Sequence, residues 1–179
     1  VPNLVATVRG RKIQRWNGVS IADPVFENDS PDYNNPAWIV WDLLTSTRYG
    51  LGNWVSQSNL DLQSFDDWAE WCNELVSDGA GGTEKRATWN GVIDKEGSSW
   101  DACLMVCSSA RATLYTVGEL IRVKFERDRS PTQLFSMANI LEGSFSQSYV
   151  SRLDRPTRID VRFLRADSNY QVDTVGVDD

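Results

Sequence analysis

The sequence predicts an α+β fold, and three observations carry it. Apolar residues recur at helical spacing in three capped segments, alternate at strand spacing in several others, and interleave in the order α-α-β-α-β-β across residues 35–130. Residues 1–34 read as a strand and an extended linker arm, and residues 131–179 as a β-rich segment.

Leu4 to Ile13 alternates weakly and reads as an opening strand. Trp16 to Asn35 is rich in Asn, Asp, Ser and Pro, which predicts an extended arm. Asn35 is a natural N-cap and Pro36 suits a first helical turn, where a missing N–H costs nothing. The helix they open carries Trp38, Ile39, Val40, Trp41, Leu43 and Leu44 around most of its circumference, so it should be largely buried. Gly50 and Gly52 punctuate its end, with Arg48 near the negative pole.

After Asp61 or Ser64, Phe65, Trp68, Ala69, Cys72, Leu75 and Val76 form one helical stripe. Asp78 to Gly82 supplies a turn, and Lys85 to Asp94 alternates like a strand. Ser98 or Ser99 caps a third helix with Trp100, Cys103, Leu104 and Cys107 on its stripe. Ala112 to Val117 and Leu120 to Glu126 read as a hairpin turning at Gly118-Glu119. A charged break, Arg127 to Pro131, precedes strand-like segments at Ile140 to Val150 and Arg158 to Arg165; the acidic end from Asp173 to Asp179 should fray if nothing downstream holds it.

Composition narrows the chemistry. Hydrophobic content of 41% and charged content of 24% suit a globular domain. A net charge of -7 opposes non-specific phosphate binding, so no specific nucleic-acid contact is expected. The absence of histidine removes the commonest general base and zinc ligand together. Cys72, Cys103 and Cys107 read as buried reduced thiols, and no apolar run is long enough to span a bilayer. The opening at Val1, with neither initiator Met nor secretory segment, reads as a piece of something longer.

No catalytic set emerges. Asp78 to Arg86 is glycine-rich but follows a helix and opens a strand, the reverse of a phosphate loop. Asp66 and Glu70 lie one helical turn apart, as a solvated face also would. Asp23, Glu27, Asn28, Asp29 and Asp32 are dense but lack calcium-loop spacing. No catalytic, cofactor-binding or metal residue is assigned. Eight tryptophans raise a carbohydrate-binding alternative, although Trp38, Trp41, Trp68 and Trp100 hold core positions. Trp16, Asn17, Tyr33 and Trp54 fall in loop-like stretches and are the candidate interface contacts.

Asn35 to Trp38, Arg48 to Gly52, Asp78 to Glu84 and Trp100-Asp101, in that order, resemble the host-specificity protein J family of long-tailed bacteriophage tail-tip proteins, the lambda J-like family. Val5 to Ile13 and Phe145 to Phe163 are similar to further parts of the pattern. The resemblance implies a structural tail-tip component of the virion, assembled in the bacterial cytoplasm. It implies a hub subunit that links the tail tube to distal host-recognition parts and frames the DNA exit channel. Residues 35–130 would then be an α/β hub subdomain, flanked by strands of a β-barrel-like hub domain. Implied partners are two further copies in a homotrimer of the full-length protein and other tail-tip and tail-tube proteins. A host receptor would be met only through regions outside these residues, and no cofactor is implied. A cell-wall-binding module using exposed Trp, or a cell-wall hydrolase, is the alternative.

Overall fold

The structure is a computed structural model that describes residues 11–16, 20–25, 34–79, 81–94, 96–136, 138–151, 154–165, 168 and 171–178. The chain divides into two compact units, Val1–Asp128 and Arg129–Asp179. The fold is α+β, built of three helices and small antiparallel two-stranded sheets, with no closed barrel among the described residues.

In the first unit, β1 (Ile13–Trp16) pairs with β2 (Ile21–Val25), so part of the expected arm is a hairpin. Pro24 in β2 hides this pairing from a propensity reading, because proline is confined to strand edges. The strand expected from Leu4 lies outside the described residues up to Gly10.

Helix α1 (Pro36–Thr45) is the centre of the core. Asn35 Oδ1 accepts the Ala37 N–H at 3.0 Å, and Asn35 Nδ2 donates to the Ala69 carbonyl of α2 (Leu62–Asn73) at 2.9 Å. One fully buried amide thus caps α1 and ties it to α2. Beside it, the Asn34 carbonyl accepts the Trp89 N–H at 2.8 Å, and Asn34 Oδ1 accepts from Lys85 Nζ at 3.3 Å. Asn35→Ala is expected to lower stability by about 2 kcal/mol, from cap and buried hydrogen bond together. Urea midpoints check this, with Asn35→Ser recovering the cap share alone.

Trp38, Trp41, Phe65 and Trp68 fill the core. Trp41 meets Phe65 edge-on, ring centres 5.2 Å apart, and Trp38 meets Trp41 at 6.2 Å. The indole nitrogens of Trp41 and Trp68 are buried without a hydrogen-bond partner among the described residues. Their ring burial offsets that loss, since the aromatic body is much larger than its polar tip.

Helix α2 stops at Asn73, short of the expected Leu75 and Val76, which enter β3 (Leu75–Ser77) against β4 (Thr83–Lys85). Gly79 and Gly81, both at positive φ, let the chain reverse there and strand pairing wins over the helical stripe. The element order is therefore α-α-β-β-α-β-β. The expected strand from Lys85 to Asp94 ends at Lys85; beyond it the Arg86, Ala87 and Trp89 amides are pinned to the Glu74, Cys72 and Asn34 carbonyls. Those partners do not form a strand, so no ladder continues.

Helix α3 (Ser99–Ser109) starts at Ser98, whose Oγ accepts the Trp100 N–H at 3.1 Å. It packs on α1 and on the hairpin β5 (Ala112–Val117) and β6 (Leu120–Phe125), which turns at Gly118 with positive φ. Leu114, Ile121, Val123 and Phe125 face the core. Arg122 Nε donates to Asp61 Oδ2 at 2.5 Å and Asp61 N–H to the Ile121 carbonyl at 3.0 Å, latching the start of α2 to β6.

The second unit holds β7 (Arg158–Arg165) paired antiparallel with β8 (Gln171–Asp178). Asp173 to Asp178, expected to fray unless held, are thus part of a strand in register with β7. Residues 140–150, expected to be a strand, form turns and irregular backbone with no ladder partner among the described residues.

Candidate interaction surface

Where α1 ends, the chain folds back on its last carbonyls. The Leu51 N–H donates to the Leu43 carbonyl at 3.0 Å, and the Gly50 and Gly52 amides both reach the Ser46 carbonyl, at 3.1 and 3.0 Å. Helix-terminal acceptors are thereby satisfied without a left-handed residue. Glycine is required here for space: a Cβ on Gly50 would overlap the Leu43 carbonyl, and one on Gly52 the Thr45 carbonyl. Arg48 lies beyond the last turn and is exposed.

This fold-back displays two aromatics. Tyr49 donates its hydroxyl to Asp42, and the Arg11 guanidinium lies 4.4 Å over its ring and 3.9 Å from the Asp42 carboxylate. Burial, then the Asp42 hydrogen bond, raises the Tyr49 phenol above its ordinary value. Beyond it, the Trp54 and Val55 amides both donate to the Leu51 carbonyl at 2.9 Å. Leu51 and Val55 pack against the core while Trp54 between them is 79% exposed. A large ring is thus held outward on a turn anchored at both ends.

The other candidate contacts fall differently. Trp16, on β1, is half-buried and packs against the core. Asn17 and Tyr33 lie outside the described residues. The sequence puts Trp54 in a loop but does not show its anchors, because Leu51 and Val55 gain theirs only from the packed core.

The other chemistry-bearing residues are accounted for structurally. Asp78 to Gly82 is the tip of the β3–β4 hairpin, and the Gly82 amide is taken by Asp78 Oδ1 at 2.8 Å. Asp66 is half-buried and Glu70 exposed on α2. Cys72, Cys103 and Cys107 are free, fully buried thiols, each pushed up to about 12 by burial, so none is an activated nucleophile. Among the described residues, no group of three or more His, Cys, Asp or Glu is placed to hold a metal ion, and no helix is long and apolar enough to cross a membrane. An open crevice of ≈ 450 Å³ in the second unit is lined by Phe135, Asn139, Ile140, Leu141, Ser144 and Phe145.

No family model matches the chain. Among curated proteins it is 32% identical over 146 residues to tip attachment protein J of Escherichia phage SECphi27, covering 82% of this chain and 12% of that protein. It is 22% identical over 180 aligned residues to tip attachment protein J of Escherichia phage SECphi4, covering 95% of this chain and 16% of that protein. The chain therefore spans less than a fifth of either relative. On this likeness the chain belongs to the phage tail-tip protein J family.

Proposed function

We propose that the chain is part of a hub subunit of the phage tail tip, linking the tail tube to distal host-recognition parts and framing the channel through which DNA leaves. One observation carries this reading: Asn35, Trp38, Gly50 and Gly52, residues of the motifs by which the sequence resembles the family, lie at the core and helix-end joints of the first unit. Such residues favour a stiff part over a reactive one, and an architectural role over a catalytic one. Residues 35–130 would be the hub subdomain, residues 1–34 its linker arm, and residues 131–179 a β-rich part of a barrel-like domain. The full-length protein would act as a homotrimer assembled in the bacterial cytoplasm, meeting other tail-tip and tail-tube proteins. Receptor contact would fall to regions outside these residues. The net charge of -7 suits a channel that does not adsorb phosphate.

Trp54 is the proposed central contact with a neighbouring tail protein, with Trp16, Asn17 and Tyr33 as further contacts. Trp54→Ala in the full-length protein is expected to change its own stability by less than about 0.5 kcal/mol, since the ring is exposed. Tip assembly is expected to fall about tenfold or more, as loss of an aromatic hot spot does. Counting complete tips per virion by electron microscopy reads this out. Normal assembly would remove Trp54 from the interface, and quenching of its fluorescence by cell-wall glycan would favour the carbohydrate-binding alternative.

A further inference from the structure

Among the described residues from Arg129 to Asp178 no side chain is buried. A two-stranded hairpin with both faces in water is marginal on its own, so the β7–β8 ribbon needs a neighbour. Its two faces differ. Register places Ile159 opposite Val177 and Val161 opposite Val175, with Phe163 following on the same side. The Arg165–Asp173 ion pair, 3.0 Å, closes the end of that apolar strip. On the opposite face Arg158 Nε donates to Asp160 Oδ1 at 2.8 Å, and Arg158 Nη1 lies 3.5 Å from Asp178. Gly176 makes this crossing possible, because a Cβ there would run into the Arg158 guanidinium and lie 2.6 Å from Asp160. The even-numbered face is therefore mostly polar, with the one apolar pair Leu164–Val172 at its far end, and the odd-numbered face carries the longer exposed apolar strip.

We infer that the odd-numbered face of the ribbon docks on the apolar face of another β-sheet of the same polypeptide, outside residues 1–179, while the Arg158–Asp160–Asp178 side stays wet. This rests on the proposed placing of residues 131–179 in a larger β domain, and adds which face is covered and by what. Four of the five side chains are β-branched, which makes a flat surface suited to interdigitating with a second sheet. The five expose on the order of a few hundred Å², well under the ~800 Å² per partner of a stable association between separate chains. Covalent linkage removes that shortfall by making the docking intramolecular. The matched stretch is only 12% and 16% of the two relatives, so proteins of this family carry ample further chain to supply the sheet.

Hydrogen exchange of the full-length phage protein, compared with the 179-residue chain, tests this. Amides of β7 and β8 are expected to exchange about 100-fold more slowly in the full-length protein, independent of its concentration. Val161→Ala and Val161→Asp should erase that protection, and Arg162→Ala, on the wet face, should leave it. All eight tryptophans of the 179-residue chain precede residue 129, so near-ultraviolet circular dichroism of each variant made in that chain shows whether its first unit still folds. Equal protection in the short chain would overturn the inference, as would sensitivity to Arg162→Ala alone. Protection that fades on dilution would make the occupant a second chain and overturn the intramolecular assignment. None of these failures touches the hub reading, which the solution mass of the full-length protein tests separately.

Discussion

Replacing Gly50 by alanine is expected to unfold the first unit or lower its stability by about 4 kcal/mol or more, at the severe end for a single substitution. The added carbon would occupy the space of the Leu43 carbonyl and lie 2.8 Å from its carbon and 3.0 Å from the Ser46 carbonyl. Those are backbone atoms of a helix buried on most sides, so they cannot swing aside as a flexible side chain would. Relief requires moving the fold-back away, which breaks the Leu51–Leu43 and Gly50–Ser46 hydrogen bonds together. A urea titration followed by tryptophan fluorescence reads the loss. Gly97→Ala is the control, because nothing lies within 4 Å of a Cβ built there. A Gly50→Ala protein with a wild-type midpoint would show that the fold-back is not the rigid joint described above.

Alkaline pH is expected to destabilise the protein steeply, through three thiols. Cys72, Cys103 and Cys107 are each raised from about 9 to about 12, first by burial and, for Cys107, also by its two cysteine neighbours. A folded-state pKa above the unfolded one means that stability is full below pH 9 and is lost as pH rises toward 12. Each thiol removes about 1.4 kcal/mol per pH unit within that window. From about pH 8.5 to about pH 10.5 the three together remove on the order of 5 kcal/mol, comparable to the whole stability of an ordinary domain. The check is the urea midpoint against pH for the wild type and for a variant with all three cysteines replaced by alanine. The variant is less stable at neutral pH because it carries cavities, yet its profile should be much flatter above pH 9. Parallel profiles would mean that the thiols do not ionise on unfolding.

What was legible in the sequence was local. Asn35-Pro36 and Ser98 announce helices because capping uses neighbours two or three residues away. The Ala112–Phe125 hairpin was legible because its turn and alternation are adjacent in the chain. Asn34 was not recognised as a joint, since its partners Lys85 and Trp89 lie more than fifty residues on. Gly50 and Gly52 looked like conformational punctuation, whereas their role is close approach, visible only once the chain is seen to return to α1. The end of α2 was misread because Leu75 and Val76 continue a helical stripe until pairing with Glu84 and Lys85 takes them. Strand β8 escaped notice because Val172 lies out of phase with Val175 and Val177. Of the candidate contacts, Trp54 alone has both the exposure and the anchored turn in the described structure.

The hub reading stands or falls on assembly. Light scattering of the full-length phage protein over a wide concentration range is the deciding measurement. A mass of three chains is predicted, with the 179-residue chain smaller. A full-length protein that stays monomeric at every concentration would contradict it.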